Sequence, residues 1–338
     1  MLAPYLEKSY NFESVSNYRK KSISQKIRRD LLKTYILFPD KSQAINKLIS
    51  EFNSLTDSKH ENVEDVLHYS YEKDFSDFLS NRAVFNQEVN NPTDTAKYIA
   101  DFFKKINNDS LVFFLHGSHA DSTTTYYSDI DLSVFVKKSF LKDVTQTRAD
   151  IYALNNLIRK YDLGSHHAIF LNFDDDKNYY PESFMPLSVL KKSLTNLDDN
   201  SSYFRTRYSY DLTLDSFYNL SNHVIQLTKN LSDFNSNNLK ILISEYFMLI
   251  ILFEQFCSNS FKDKKTIFSD ILKNEDKKRK LSAFQTSSNI RMNWPEQNNL
   301  KLFGVSKFFI KNIITDVNYL NEEIKRSKNY EKIMKVIC

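Results

Sequence analysis

Strand-like patterning is confined to one stretch of this 338-residue chain, residues 91–180. That confinement limits any sheet to a few strands with helices before and after it. Residues 1–90 read as helical and polar, with the amphipathic runs "SISQKIRRDLLKTYILF" and "KSQAINKLISEFNSL". From 181 onward helical periods return in "SYDLTLDSFYNLSNHVIQLTKNL", "LKILISEYFMLIILFEQFC" and "SKFFIKNIITDVNYLNEEIKR". The expected fold class is α+β: a small mixed sheet at 91–180, a helical N-terminal region at 1–90 and a helical C-terminal domain at 181–338.

The middle region resolves further. Asn91 and Pro92 precede "TDTAKYIADFFKKI", a one-faced helix with Asp94 near its start. "SLVFFLHG" is an unbroken apolar run, the mark of a strand covered on both faces. After the turn-rich "SHADSTTTYYS" comes "DIDLSVFV", which alternates: Ile130, Leu132, Val134 and Val136 share one face, Asp129, Asp131 and Ser133 the other. "TRADIYALNNLIRKY" has helical spacing, and Gly164 breaks the chain before a third strand, "HHAIFLNF". The unit is helix, strand, loop, strand, helix, strand.

Two aspartates with one residue between them on a strand project side by side. Charge kept at a strand edge is one use for such a pair. The chain has only three glycines, and one of them, Gly117, sits with Ser118 at the end of the buried strand just upstream. Paired carboxylates repel unless something positive lies between them. Mg²⁺ does so and takes one or two carboxylates together with phosphate oxygens. A glycine lets backbone approach a phosphate, to which the amides and hydroxyl around Ser118 can donate.

Gly117-Ser118, ten intervening residues and then Asp129-Ile130-Asp131-Leu132 resemble the signature of the nucleotidyltransferases of the DNA polymerase β-like superfamily. The string "SDIDL" and Ala120 two places after the serine also match it, and the resemblance covers roughly residues 94–175. It implies a nucleotidyltransferase core in which Asp129 and Asp131 hold Mg²⁺ or Mn²⁺ and Gly117 and Ser118 hold the phosphates of an NTP. An acceptor hydroxyl then attacks the α-phosphate and pyrophosphate leaves. The sequence departs from the pattern twice. Ser122 stands where many relatives have glycine. The third carboxylate, usual on the neighbouring strand, is missing from His166-His167-Ala168-Ile169-Phe170-Leu171-Asn172-Phe173; acids appear only at Asp174, Asp175 and Asp176. His166 or His167 is therefore a candidate for the base or a metal ligand.

Composition excludes several other classes. An apolar share of 41% rules out a disordered chain. Cys257 and Cys338 form neither a disulfide framework nor a zinc knuckle, which with no signal-peptide pattern at the N-terminus gives a cytoplasmic expectation. The apolar helix at 239–257 carries Lys240, Glu245 and Glu254 and reads as a buried core helix, so no membrane partner is expected. A net charge of +4 leaves nucleic-acid affinity to local patches such as Tyr203 to Tyr210 or Lys277-Lys278-Arg279-Lys280, each of which also reads as ordinary packing or solvated surface. His119 reads either as a phosphate contact or as a solvated loop residue. The active site is expected between the aspartate-bearing sheet face and the C-terminal helices. The expected activity is nucleotidyl transfer to RNA, particularly a tRNA end, or to a protein, as in toxin or defence systems. The competing reading is a degenerate relative that only binds nucleotide, RNA or a partner protein.

Overall fold

The computed structural model describes residues 17–75, 83–85, 87–88, 91–161, 169–180, 185–197, 203–206, 209–232, 239–258, 264–294 and 307–337. The molecule is mixed α+β, predominantly helical, with a small four-stranded mixed sheet. In chain order the strands are β1 (Ala83–Val84), β2 (Leu111–His116), β3 (Asp131–Val136), β4 (Phe170–Phe173), β5 (Leu194–Thr195) and β6 (Tyr203–Phe204). The main sheet runs β4-β3-β2-β5, and β1 and β6 pair separately. β2 lies antiparallel to β3 with Leu111 opposite Val136 and His116 opposite Asp131. β4 lies parallel to β3, Ser133 opposite Phe170 and Val136 opposite Phe173.

The alternation expected for 129–136 is realised. Ile130, Leu132, Val134 and Val136 are buried with Leu111, Phe113 and Leu115 of β2 and Leu171 and Phe173 of β4. Against them pack Ile99 and Phe103 of the Asp94–Ile106 helix and Ile151, Leu154 and Ile158 of the Val144–Tyr161 helix. Thr93 starts the first of these helices by accepting a hydrogen bond from the Ala96 amide at 3.2 Å.

The opposite sheet face is covered as well, as the unbroken apolar run of β2 implies. Val112, Phe114 and Phe135 are buried there under Phe85, Tyr180, Leu190 and Phe204, with the Phe114 ring 5.7 Å from Phe85 and 5.3 Å from Phe135. The cover and the edge strand β5 come partly from beyond residue 180. Two-residue strands carry no readable period, so the sequence pattern could not show them. Access to the aspartates is thereby restricted to the end of β3 where it begins.

Two attachments hold the flanking helices to this core. Arg28 of the Asn17–Leu37 helix is fully buried and donates to Asp176 at 2.6 Å and Tyr179 at 2.7 Å, just past the end of β4. On the other side the Leu239–Ser258 helix is long and apolar enough to cross a membrane by length and composition, yet 61% of its most apolar window is buried inside the protein. Its charged residues each face a partner. Lys240 pairs with Asp129, Glu254 pairs with Lys277, and Glu245 lies 3.6 Å from His223.

Candidate functional site

The site begins where β2 stops. The backbone of Gly117 turns at φ +73°, a conformation side chains disfavour. A Cβ at this position would also run into the Asp131 carboxylate, whose Cγ would lie only 3.2 Å away. Glycine is thus required twice, for the turn and for the approach of Asp131.

The following loop is tied down by hydrogen bonds even where its residues, such as Ser122 and Thr123, are exposed. The Thr93 amide donates to the His119 carbonyl at 2.9 Å, and the Thr93 hydroxyl lies 3.1 Å from His119 Nδ1. His119 therefore braces the loop against the helix start. Ser122 donates to the Asn91 carbonyl and has φ +56°, the left-handed conformation that favours glycine.

Asp129 immediately precedes β3 and Asp131 opens it. Facing them are three basic side chains from the C-terminal helices: Lys240, Lys264 and Arg291. Lys240 forms an ion pair with Asp129, the two side chains being 14% and 11% exposed. Its backbone is fixed by Tyr127, whose hydroxyl donates to the Lys240 carbonyl at 2.9 Å and accepts from Ser244 at 2.7 Å. The Tyr127 ring has the Lys240 ammonium 5.3 Å and the Arg291 guanidinium 5.4 Å from its centre, and Trp294 edge-on at 5.0 Å. Lys264 lies 5.6 Å from the ring centre of Phe247 and 5.5 Å from that of Phe268. Its surface is open to solvent, while the Phe247 and Phe268 rings crowd it from the protein side. Desolvation and then repulsion by Arg291 pull its pKa down to about 7, against the attraction of Asp131 and Asp129.

Arg291 depends on a remote support. Its helix, Ser282–Met292, has no capping side chain of its own at the first turn. Asp316 supplies one: its carboxylate accepts from the Ser282 and Ala283 amides, both at 2.8 Å, from the Ser282 hydroxyl at 3.0 Å, and from the Tyr246 hydroxyl. This buried aspartate thus caps a helix from a different one.

Beneath the aspartates, buried His116 reaches Ser133 Oγ at 3.1 Å, and burial pushes its pKa down to about 4. A histidine held neutral by the fold stabilises it fully above the unfolded-state pKa near 6.5; that contribution fades as pH falls toward the folded value. Going from pH 8 to pH 5 should cost about 2 kcal/mol through His116 alone. Urea unfolding at the two pH values checks this, His116→Gln being expected to remove that part of the slope. An identical slope in the variant would overturn it.

Of the sequence-derived candidates, Gly117, Ser118, Asp129 and Asp131 share this end of the sheet. His166 and His167 lie outside the described residues. The acids after β4 do not join the site. Because β4 runs parallel to β3, residues 174–176 follow its far end, opposite Val136. There Asp176 pairs with Arg28, Asp175 with Lys138 at 2.9 Å and Asp174 with Lys177 at 2.7 Å. Among the described residues no group of three or more His, Cys, Asp or Glu side chains is placed to hold a metal ion. The basic run at 277–280 is largely neutralised: Lys277 pairs with Glu254, Lys278 with Glu275, and Arg279 and Lys280 with Asp276.

Sequence reasoning missed Lys264, Arg291 and Tyr127, and it noticed Lys240 only as a charge in an apolar helix. That charge was the one usable signal, because a lysine inside an apolar helix needs a partner. Comparison of the chain with family models, with curated proteins and with solved structures gave no match.

Proposed function

We propose that this protein is a metal-dependent nucleotidyltransferase that moves an NMP from an NTP to an acceptor, RNA such as a tRNA end or a protein. The observation that carries the reading is the antiparallel pairing of β2 and β3, which sets the Gly117-Ser118 turn directly against Asp131, with Asp129 two residues away. The left-handed backbone at Ser122 supports it, because relatives of the resembled superfamily often have glycine there.

The donor set suits Mg²⁺ or Mn²⁺: two hard carboxylates at one strand end, and a bare glycine beside them that keeps Asp131 clear. When bound to Asp129 and Asp131, the metal would supply charge stabilisation at the α-phosphate and the leaving pyrophosphate. The chain's own groups do the rest. The amides and hydroxyl around Ser118 donate to the outer phosphates, while Lys264 and Arg291 neutralise charge from the opposite wall. The acceptor oxygen bonds to the α-phosphorus and its proton passes to solvent, as the bond to the bridging β-phosphate oxygen breaks and pyrophosphate leaves.

A second reading is a protein that binds nucleotide without transferring it. It is favoured by the pairing of Asp129 with Lys240 and by the remote engagement of Asp174, Asp175 and Asp176. One experiment separates the two: incubation with each α-labelled NTP, Mg²⁺ or Mn²⁺ and a cell extract. Transfer predicts label in an acceptor together with pyrophosphate release. Retention of labelled nucleotide on the protein, with no pyrophosphate under any condition, would replace transfer with binding.

A further inference from the structure

The Asp129–Lys240 ion pair sits where a metal ligand is needed. Its two ends are anchored on opposite sides of the site: Asp129 by the start of β3, Lys240 by the hydrogen bond from Tyr127 to its carbonyl. Both side chains are largely withdrawn from water, so neither charge has a cheap alternative in solvent. A divalent cation arriving alone would meet an ammonium already on the carboxylate it needs, and two positive charges at that range repel. A cation arriving with a triphosphate meets a different balance. The phosphates bring several negative charges, so the ammonium can leave Asp129 and remain paired.

Resting on the transferase reading, we propose that Lys240 is a resident counter-ion. It neutralises Asp129 while the site is free and moves to phosphate oxygens when metal and nucleotide enter together. Metal and nucleotide then bind as one unit, and each is weak by itself. The coupling is reciprocal, since whatever the triphosphate does for metal affinity the metal does for triphosphate affinity. The aromatic ring of Tyr127, with the ammonium 5.3 Å from its centre, gives the lysine a surface along which its charge stays favourable during the exchange.

The proposal is tested by binding, with no need for turnover. Mn²⁺ alone is titrated into the wild type, Lys240→Met, Lys240→Arg and Asp129→Asn, and free Mn²⁺ is read by electron paramagnetic resonance. A preformed complex of Mn²⁺ with inorganic tripolyphosphate is then titrated by calorimetry. Methionine keeps most of the aliphatic stem, and Lys240→Gln serves if that variant fails to fold. Lys240→Met is expected to bind Mn²⁺ alone at least about tenfold tighter than the wild type, equivalent to roughly 1.4 kcal/mol. The same variant is expected to bind the tripolyphosphate complex more weakly, while Lys240→Arg behaves as wild type in both titrations. Mn²⁺ affinity unchanged or lower in Lys240→Met, with binding lost in Asp129→Asn, would overturn the counter-ion while leaving Asp129 as a ligand. Tighter binding of both probes by Lys240→Met would reduce Lys240 to simple repulsion and overturn the exchange. Equal binding of the Mn²⁺–tripolyphosphate complex by Asp129→Asn and wild type, together with no gain in Mn²⁺ affinity in Lys240→Met, would overturn the counter-ion and the metal site together.

Discussion

Asp129→Ala and Asp131→Ala should each lose nucleotidyl transfer by about 10³-fold or more, yet differ in stability. Removing a carboxylate from a two-acid site takes away charge stabilisation that substrate positioning cannot replace. By sequence alone, deletion of either of two mutually repelling acids would leave the fold unharmed. The ion pair with Lys240 changes that for one of them. Asp129→Ala leaves a mostly buried ammonium without this partner, and a loss of about 2 kcal/mol is expected, between the values for surface and fully buried pairs. Asp131→Ala removes both its repulsion of Asp129 and its attraction for Lys264, two opposed effects, and should lose less than about 1 kcal/mol. Label transfer and urea midpoints on the same preparations check both halves. Turnover at the wild-type rate in either variant would remove that residue from the metal site, and equal midpoints would mean that the Lys240 pair contributes nothing to the fold.

Gly117→Val should fail both as a fold and as a site. Its backbone at φ +73° disfavours any side chain, a β-branched one most, by about 1–2 kcal/mol. The new Cβ would in addition strike the Asp131 carboxylate. The Asp131 backbone is held in register with β2, opposite His116, so the clash is relieved by turning the carboxylate away from the position it holds beside Gly117. A combined destabilisation of about 3 kcal/mol is expected, with Asp131 pushed out of line and transfer lost even where the protein remains folded. Gly117→Ala should lie between the variant and the wild type. A urea midpoint for Gly117→Val equal to that of the wild type would show that the turn does not have this backbone.

The strand pair was legible because its two signals are local. Alternation in "DIDLSVFV" is a property of adjacent residues and assigns Ile130, Leu132, Val134 and Val136 to the core without knowledge of anything else. All six residues of β2 are buried, as the unbroken apolar run implies. The opposite wall was not legible. Lys240 is 111 positions from Asp129, and Lys264 and Arg291 are farther still. No periodicity relates residues that distant, and a lysine bound for a carboxylate resembles any other in its own helix. The cover over Phe114 and Phe135 was hidden because it is assembled from single residues of separate short segments, Phe85, Tyr180, Leu190 and Phe204, none of which carries a pattern of its own.

The borrowed cap at Ser282 has a temporal meaning. A ribosome delivers the strand pair and its aspartates long before it delivers Asp316, the group on which the first turn of the Arg291 helix depends. Until then that first turn lacks its acceptor, and Arg291 has no settled place beside Tyr127. Assembly of the cleft is therefore a late event in the life of each molecule, and a chain cut short before residue 316 would carry the acids of the site without a finished cleft around them.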